Sequence, residues 1–181
     1  MKLNYTIPTI EKELVKKCLG NDRTAQRELF LKYKDAMYTI LLRMLNDQEE
    51  ATDALQDTFI SVFKGLESFK FQSTLGAWIK TITVRTGINK QRKLNKLYFD
   101  SINDISSEPV IWPEGMTGDT LEQAISSLPD GYRSIFILIE VEGYSHKEVA
   151  EMLQVSVGTS KSQLHYAKKT LRNLLDGQQY S

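Results

Sequence analysis

Apolar residues recur at helical spacing through most of this chain. Ala25, Leu29, Tyr33, Ala36, Met37, Ile40, Leu41, Met44 and Leu45 follow the three-and-four rhythm of one long helix. Asp47 and Glu50 predict a capping box for the next one, in which each residue's side chain serves the other's backbone N–H. Its apolar stripe is Leu55, Phe59, Val62, Phe63 and Leu66, with Gly65 near its end. Gly76 to Lys93 reads as a third long helix. Further on, Thr120 and Gln123 predict the cap of a helix that stops before Pro129, and another runs to Gly143. Ser145 and Glu148 form a second capping box. Ile135 to Val141 is β-branched enough to imitate a strand, but the helix signals on either side outweigh it. Strand alternation is weak everywhere, so the expected fold class is all-α.

The rhythm stops between residues 99 and 119. FDSINDISSEPVIWPEGMTGD carries two prolines, two glycines and many short polar residues, the composition of a flexible, acidic linker. The expected organisation is therefore two small helical domains, 8–98 and 120–176, joined by residues 99–119. Val110, Ile111 and Trp112 inside the linker imply that it docks on something.

The second domain contains a helix–turn–helix. Ser145 to Leu153 is a short helix with Val149, Ala150, Met152 and Leu153 apolar, Gln154 to Ser156 is a turn, and Ser156 caps a longer helix. On that helix Val157, Ser160, Leu164, Ala167, Leu171 and Leu175 share one stripe. Thr159, Ser162, Gln163, Tyr166 and Lys169 lie opposite, flanked by Lys161, His165, Lys168 and Arg172. Such a face can enter a major groove, its amides and hydroxyls reading base edges and its lysines meeting phosphates. An ordinary amphipathic hairpin with a solvated basic face has the same spacing. Two other faces are open to two readings in the same way. Trp78, Ile82, Arg85, Asn89 and Arg92 fall within about 80° of one another on the third helix. An aromatic ring beside cations suits single-stranded nucleic acid, yet a tryptophan also anchors cores. Asp53, Gln56, Asp57 and Ile60 lie opposite the core stripe of their helix. Acids around an exposed apolar residue fit a basic protein partner, or are simply solvated.

Charge sharpens this picture. The 23 basic and 23 acidic residues cancel overall, but they are segregated. Residues 46–63 are acidic without a base, 80–98 basic without an acid, 99–123 acidic again and 152–175 basic again. Such blocks imply several distinct surfaces. The sequence carries no phosphate-binding glycine loop, nucleophile elbow or metal-ligand spacing, so neither an enzyme nor a cofactor or metal site is expected. His146 falls in a helix's first turn and reads as surface. The single cysteine, Cys18, reads as a buried or idle thiol in a reducing cytoplasm. No apolar run approaches the ~20 residues of a membrane span, and the first residues do not form a secretion signal.

In their order along the chain, these segments resemble the extracytoplasmic-function group of bacterial sigma factors. LFLKYKDAMYTILLRMLNDQEEATDALQDTFISVFKGLESF resembles the first conserved region and its core-binding helix. FKFQSTLGAWIKTITVRTGINKQRK resembles the promoter-melting region, with Trp78 at the family's tryptophan. LPDGYRSIFILIEVEGYSHKEVAEMLQVSVGTSKSQLHYAKKTLRNLL resembles the C-terminal helix–turn–helix. The resemblance implies a cytoplasmic, non-enzymatic initiation factor that needs no cofactor. Its partners would be core RNA polymerase (clamp helices and flap), promoter DNA as duplex and melted strand, and an anti-sigma factor. Asp53, Gln56, Asp57 and Ile60 would meet the polymerase. Lys70, Phe71, Gln72, Ser73 and Thr74, with Trp78, Arg85, Asn89 and Arg92, would take the unpaired minus-10 element. Thr159, Lys161, Ser162, Gln163, Tyr166, Lys168 and Lys169 would take the minus-35 duplex.

The residues by themselves also allow a stand-alone helix–turn–helix regulator with an N-terminal dimerisation or sensor domain, or a helical adaptor. Several positions depart from the family's habit. Gln154 and Phe71 stand where glycine is frequent, and Ser160 where the inner stripe is apolar. Gln163 and Tyr166 replace arginines, Arg85 replaces an asparagine and Asn89 an aspartate.

Overall fold

The computed structural model describes residues 9–96 and 121–176. The linker, with Val110, Ile111 and Trp112, and the cap residue Thr120 lie outside the described residues. The described residues form α-helices, with no strand among them. The chain divides into two compact units, residues 1–90 and 91–181, the division falling within the fourth helix.

The first unit is built from α1 (Thr9–Leu19), α2 (Arg23–Leu45), α3 (Gln48–Gly65) and α4 (Leu75–Lys96). Asn46 ends α2 in the left-handed conformation at φ 54°, which asparagine adopts more readily than most residues, and its N–H donates to the Leu42 carbonyl at 2.8 Å. Asp47 starts α3, its carboxylate accepting the N–H groups of Glu49 and Glu50 at 2.8 and 2.9 Å. With so short a connection, α2 and α3 fold back as a hairpin. Leu29, Leu41, Met44, Ala51, Ala54, Val62, Leu66, Leu75 and Ile79 are buried between the helices. Gly87 lets α4 approach α2, since a Cβ there would lie 3.2 Å from Leu41 and Met44. A 3₁₀ turn, Leu66–Ser68, closes α3.

Three local expectations need correction. Ala36 is exposed, and Leu55 and Phe63 are only half-buried. The Asp47 box is half a box, because the Glu50 carboxylate meets the Lys90 ammonium at 2.5 Å. A buried-side ion pair outcompetes one exposed backbone N–H. Helix α1 was not anticipated as an element, although Leu14, Val15 and Cys18 supply its buried face.

The second unit holds α5 (Leu121–Ser126), α6 (Asp130–Phe136), α7 (His146–Leu153) and α8 (Val157–Asp176). The β-branched run after α6 is helical, continuing as a π turn over Ile137–Val141. Its buried residues, with Leu128, Ile135, Val149, Leu164, Ala167 and Leu171, make the core. The corner between α5 and α6 is held by Arg133, itself 4% exposed. Its guanidinium donates to the carbonyls of Ser126 (3.2 Å) and Leu128 (2.7 Å) and pairs with the Asp130 carboxylate.

Candidate nucleic-acid interface and docking face

The helix–turn–helix is assembled by local chemistry. The Ser145 hydroxyl accepts the Glu148 N–H at 3.3 Å, and the Glu148 carboxylate accepts the Ser145 N–H at 2.8 Å, completing the expected box. The Ser145 hydroxyl, and after it the Ser145 N–H, hold the Glu148 carboxyl below its ordinary pKa. Helix α7 ends at Gln154, left-handed at φ 58°, and the next N–H, of Val155, reaches back to the Ala150 carbonyl at 3.0 Å. Ser156 then caps α8, its hydroxyl accepting the Thr159 N–H at 2.9 Å.

On α8 the inner stripe is Ser160, Leu164, Ala167 and Leu171, all buried, while Val157 is 41% exposed and leaves the stripe. Ser160 would be a liability in an apolar layer without a partner. Its partner is His146, whose Nδ1 lies 2.9 Å from the hydroxyl. His146 is therefore half-buried between the two helices and is not the surface residue expected. An isolated histidine gives no sign in sequence of the serine fourteen residues away.

The outward face of α8 carries Lys161, Ser162, His165, Tyr166, Lys168, Lys169 and Arg172, all exposed. Thr159 and Gln163, expected on this face, are half-buried at its edge. Gln163 leans toward α6, where a Cβ on Gly131 would lie 3.5 Å from its carboxamide oxygen. Lys168 pairs with Glu140 at 2.7 Å, so its charge is shared within the unit. His165, expected on the flank, is exposed between Lys161 and Lys169 on this face. The four-residue spacing of those three was the available signal.

Helix α4 is entered through the segment expected to meet unpaired DNA. Lys70 and Gln72 are exposed, and Ser73 and Thr74 are half-buried. The Thr74 hydroxyl accepts the Ala77 N–H at 3.0 Å and so caps α4. Phe71 has φ 57°, a conformation that costs a non-glycine residue about 1 kcal/mol or more. Its ring packs on Phe69 with centroids 4.7 Å apart, and Phe69 in turn packs on Trp78 at 5.2 Å. Trp78 is half-buried, its six-membered ring over Gly65. Trp78 thus packs on Phe69 and Gly65 while part of its ring remains exposed. From Trp78 the face becomes progressively wetter, with Ile82 half-buried and Arg85, Asn89 and Arg92 exposed.

On α3, Asp53, Gln56, Asp57 and Ile60 are all exposed, and Ile60 is 51% so despite its apolar side chain. Ala54, Thr58 and Phe59 face inward from the same helix. Lys90 of α4 reaches over to Glu50 and lies 3.6 Å from Asp53. The bond to Glu50, chiefly, pushes the Lys90 ammonium above its ordinary pKa. Asp57 is left as the carboxylate of this face farther from that cation's reach. Cys18 is buried, and burial, with Asp22 and Glu28 nearby, pushes its thiol up. Among the described residues no three His, Cys, Asp or Glu side chains gather as a metal site, and no helix is long and apolar enough to cross a membrane.

Residues 29–97 match the family described as Sigma-70 region 2, and residues 118–171 match Sigma-70, region 4. The chain is similar to RNA polymerase sigma factor YlaC of Bacillus subtilis, with 30% identity over 83% of this chain and 91% of that one. It is similar also to ECF RNA polymerase sigma factor SigE of Mycolicibacterium smegmatis. The identity there is 28% over 82% of this chain, which spans 60% of that relative's length. Among solved structures it is similar to the sigma factor RpoE of Bartonella quintana, crystallised in complex with the anti-sigma factor NepR. That likeness has a TM-score of 0.56 and 25% identity, covering 83% of this chain and 96% of that one.

Proposed function

The chain belongs to the extracytoplasmic-function group of RNA polymerase sigma factors, and from that premise we propose which of its surfaces carry each step of initiation. The domains at work are residues 8–98 and 120–176, with 99–119 as the connection. The exposed acidic face of α3 docks on core polymerase, with Asp57, Gln56 and Ile60 making the contact and Asp53 at its edge. The loop from Lys70 to Thr74 and the Trp78, Arg85, Asn89 and Arg92 face of α4 hold the unpaired minus-10 strand. A ring to stack on and guanidinium groups for phosphates suit it without requiring a fixed sequence. Helix α8 lies in the major groove of the minus-35 element, with Ser162 and Tyr166 outermost and Thr159 and Gln163 at the edge. Lys161 and Lys169 meet phosphates, with Lys168 beside them.

The observation that carries this reading is the outward face of α8. It is polar and cationic from Lys161 to Arg172, and it is presented by a capped, left-handed turn behind a short supporting helix. The factor does no chemistry of its own, works in the cytoplasm, and is held inactive by an anti-sigma partner, as its relative with a bound anti-sigma protein suggests. A dimeric regulator would bind duplex DNA alone, whereas this factor does so tightly only with core polymerase. The test is reconstitution with core RNA polymerase, followed by sequencing of transcript start sites. Asp57→Arg should weaken retention by core enzyme, and unaltered retention of a folded variant would remove α3 from the docking role.

A further inference from the structure

Tyr166 does not stand alone on the outward face of α8. Its ring is nearly parallel to that of Tyr132, at an interplanar angle of 20° and a centroid separation of 6.2 Å. His165 meets the same ring edge-on, at 73° and 5.8 Å. Tyr132 belongs to the first turn of α6, outside the helix–turn–helix. The residue before it, Gly131, is the one that approaches the Gln163 carboxamide. One turn of α6 therefore borders two of the residues proposed to read the upstream element.

That turn is firmly placed. Asp130 pairs with the buried guanidinium of Arg133, which also holds two carbonyls of the preceding corner. Ser134, Ile135 and Phe136 follow as buried residues. Tyr132 itself is half-buried, while Tyr166 is 52% exposed. A tyrosine on an exposed helix face samples more than one rotamer, and a flat aromatic neighbour selects one of them. A side chain already in its bound rotamer loses less freedom on binding and offers its edge in one orientation.

We infer that Tyr132 is a positioning residue for promoter recognition, holding the Tyr166 ring so that sequence preference in the upstream element is set partly from α6. This rests on the proposal that α8 reads that element. The chemistry recognised is a base edge that rewards a fixed ring and a hydroxyl, such as a thymine methyl beside a hydrogen-bonding group.

The experiment selects a randomised minus-35 element with holoenzyme carrying the parent chain, Tyr166→Ala, Tyr132→Leu or Tyr132→Phe. A thermal melt of each chain runs alongside. Tyr166→Ala should flatten the base preference at one or two adjacent positions. Tyr132→Leu keeps apolar bulk but removes the ring, and should flatten the same positions by roughly two- to tenfold. Tyr132→Phe should restore them. If Tyr166→Ala alters no position while the parent holoenzyme selects a defined element, Tyr166 reads no base and this inference falls; if the parent itself selects no preferred minus-35 sequence, the proposed reading of α8 fails. If Tyr166→Ala acts but Tyr132→Leu leaves those positions unchanged, or weakens all positions alike with a lowered melting temperature, α6 has no positioning role and only the inference falls.

Discussion

Each unit of the chain uses the same two local devices, and resolves them differently. Each has an acid or hydroxyl residue followed three positions later by glutamate, at Asp47–Glu50 and Ser145–Glu148. Each also approaches one of its long helices, α4 or α8, through a left-handed residue that is not glycine, Phe71 at φ 57° and Gln154 at φ 58°. In the second unit the box closes on itself. In the first, Glu50 is drawn away to Lys90 on another helix. Phe71 compensates its backbone strain with a ring contact to Phe69, 4.7 Å between centroids. Gln154 is exposed, so its side chain gains little from burial. A local motif fixes what the backbone does. What the side chain does is decided by whatever the fold brings within reach.

The largest test of this contrast is at Phe71. Phe71→Ala removes the ring contact but keeps the left-handed strain, and should cost the first unit about 1–2 kcal/mol, less than a fully buried phenylalanine would. Phe71→Gly loses the same ring but relieves the strain, so it should be the milder change by about 1 kcal/mol. Urea unfolding in a Trp112→Phe background, with Trp78 fluorescence as the probe, measures both. Equal losses from the two substitutions would mean that the turn stores no strain.

The next effect is smaller and of opposite sign. Gln154→Gly removes a strained Cβ at no packing cost, and should stabilise the second unit by up to about 1 kcal/mol. Amide exchange in α7 and α8 should slow accordingly. Faster exchange would show that the glutamine side chain has a partner that its exposure does not suggest.

The same contrast explains what could be read in advance. The helices, the box at Ser145 and the outward placement of Ser162, Lys169 and Asp57 follow from spacing along one chain segment, where the period alone decides the face. The left-handed turn at Gln154 was legible because a family habit of glycine marks that place. Missed were the relations between distant segments. Ser160 with His146, Gln163 with Gly131, Tyr166 with Tyr132 and Glu50 with Lys90 all bring together residues from different helices. Spacing along α8 puts Gln163 on the polar face, whereas the packing of α6 makes it a half-buried edge. Helix α1 was missed for another reason. Its apolar residues Ile10, Leu14, Val15, Cys18 and Leu19 lie among five charged ones, and only Leu14, Val15 and Cys18 are buried, so the stripe is narrow and short.

The smallest effects are in pH, where Glu148 and the Lys90 partner of Glu50 should act at opposite ends of the scale. Glu148 has its folded pKa lowered, by the Ser145 hydroxyl first and the Ser145 N–H second. A lowered carboxyl contributes stability above its unfolded pKa of about 4.3, and that contribution is lost as pH falls from there through the folded value. Glu50 acts instead through Lys90, whose folded pKa is raised. A raised ammonium contributes stability below its unfolded pKa of about 10.4, and loses it as pH climbs through the higher folded value. Glu148→Gln should therefore reduce the acid sensitivity of the second unit and leave alkaline behaviour alone. Lys90→Met should reduce the alkaline sensitivity of the first unit. Melting temperatures of the full chain between pH 3 and pH 11 would separate the two as differences from the parent. If Lys90→Met left the alkaline limb as in the parent, or Glu148→Gln altered that limb, one glutamate serving its own helix and the other serving a neighbour would no longer describe these two units.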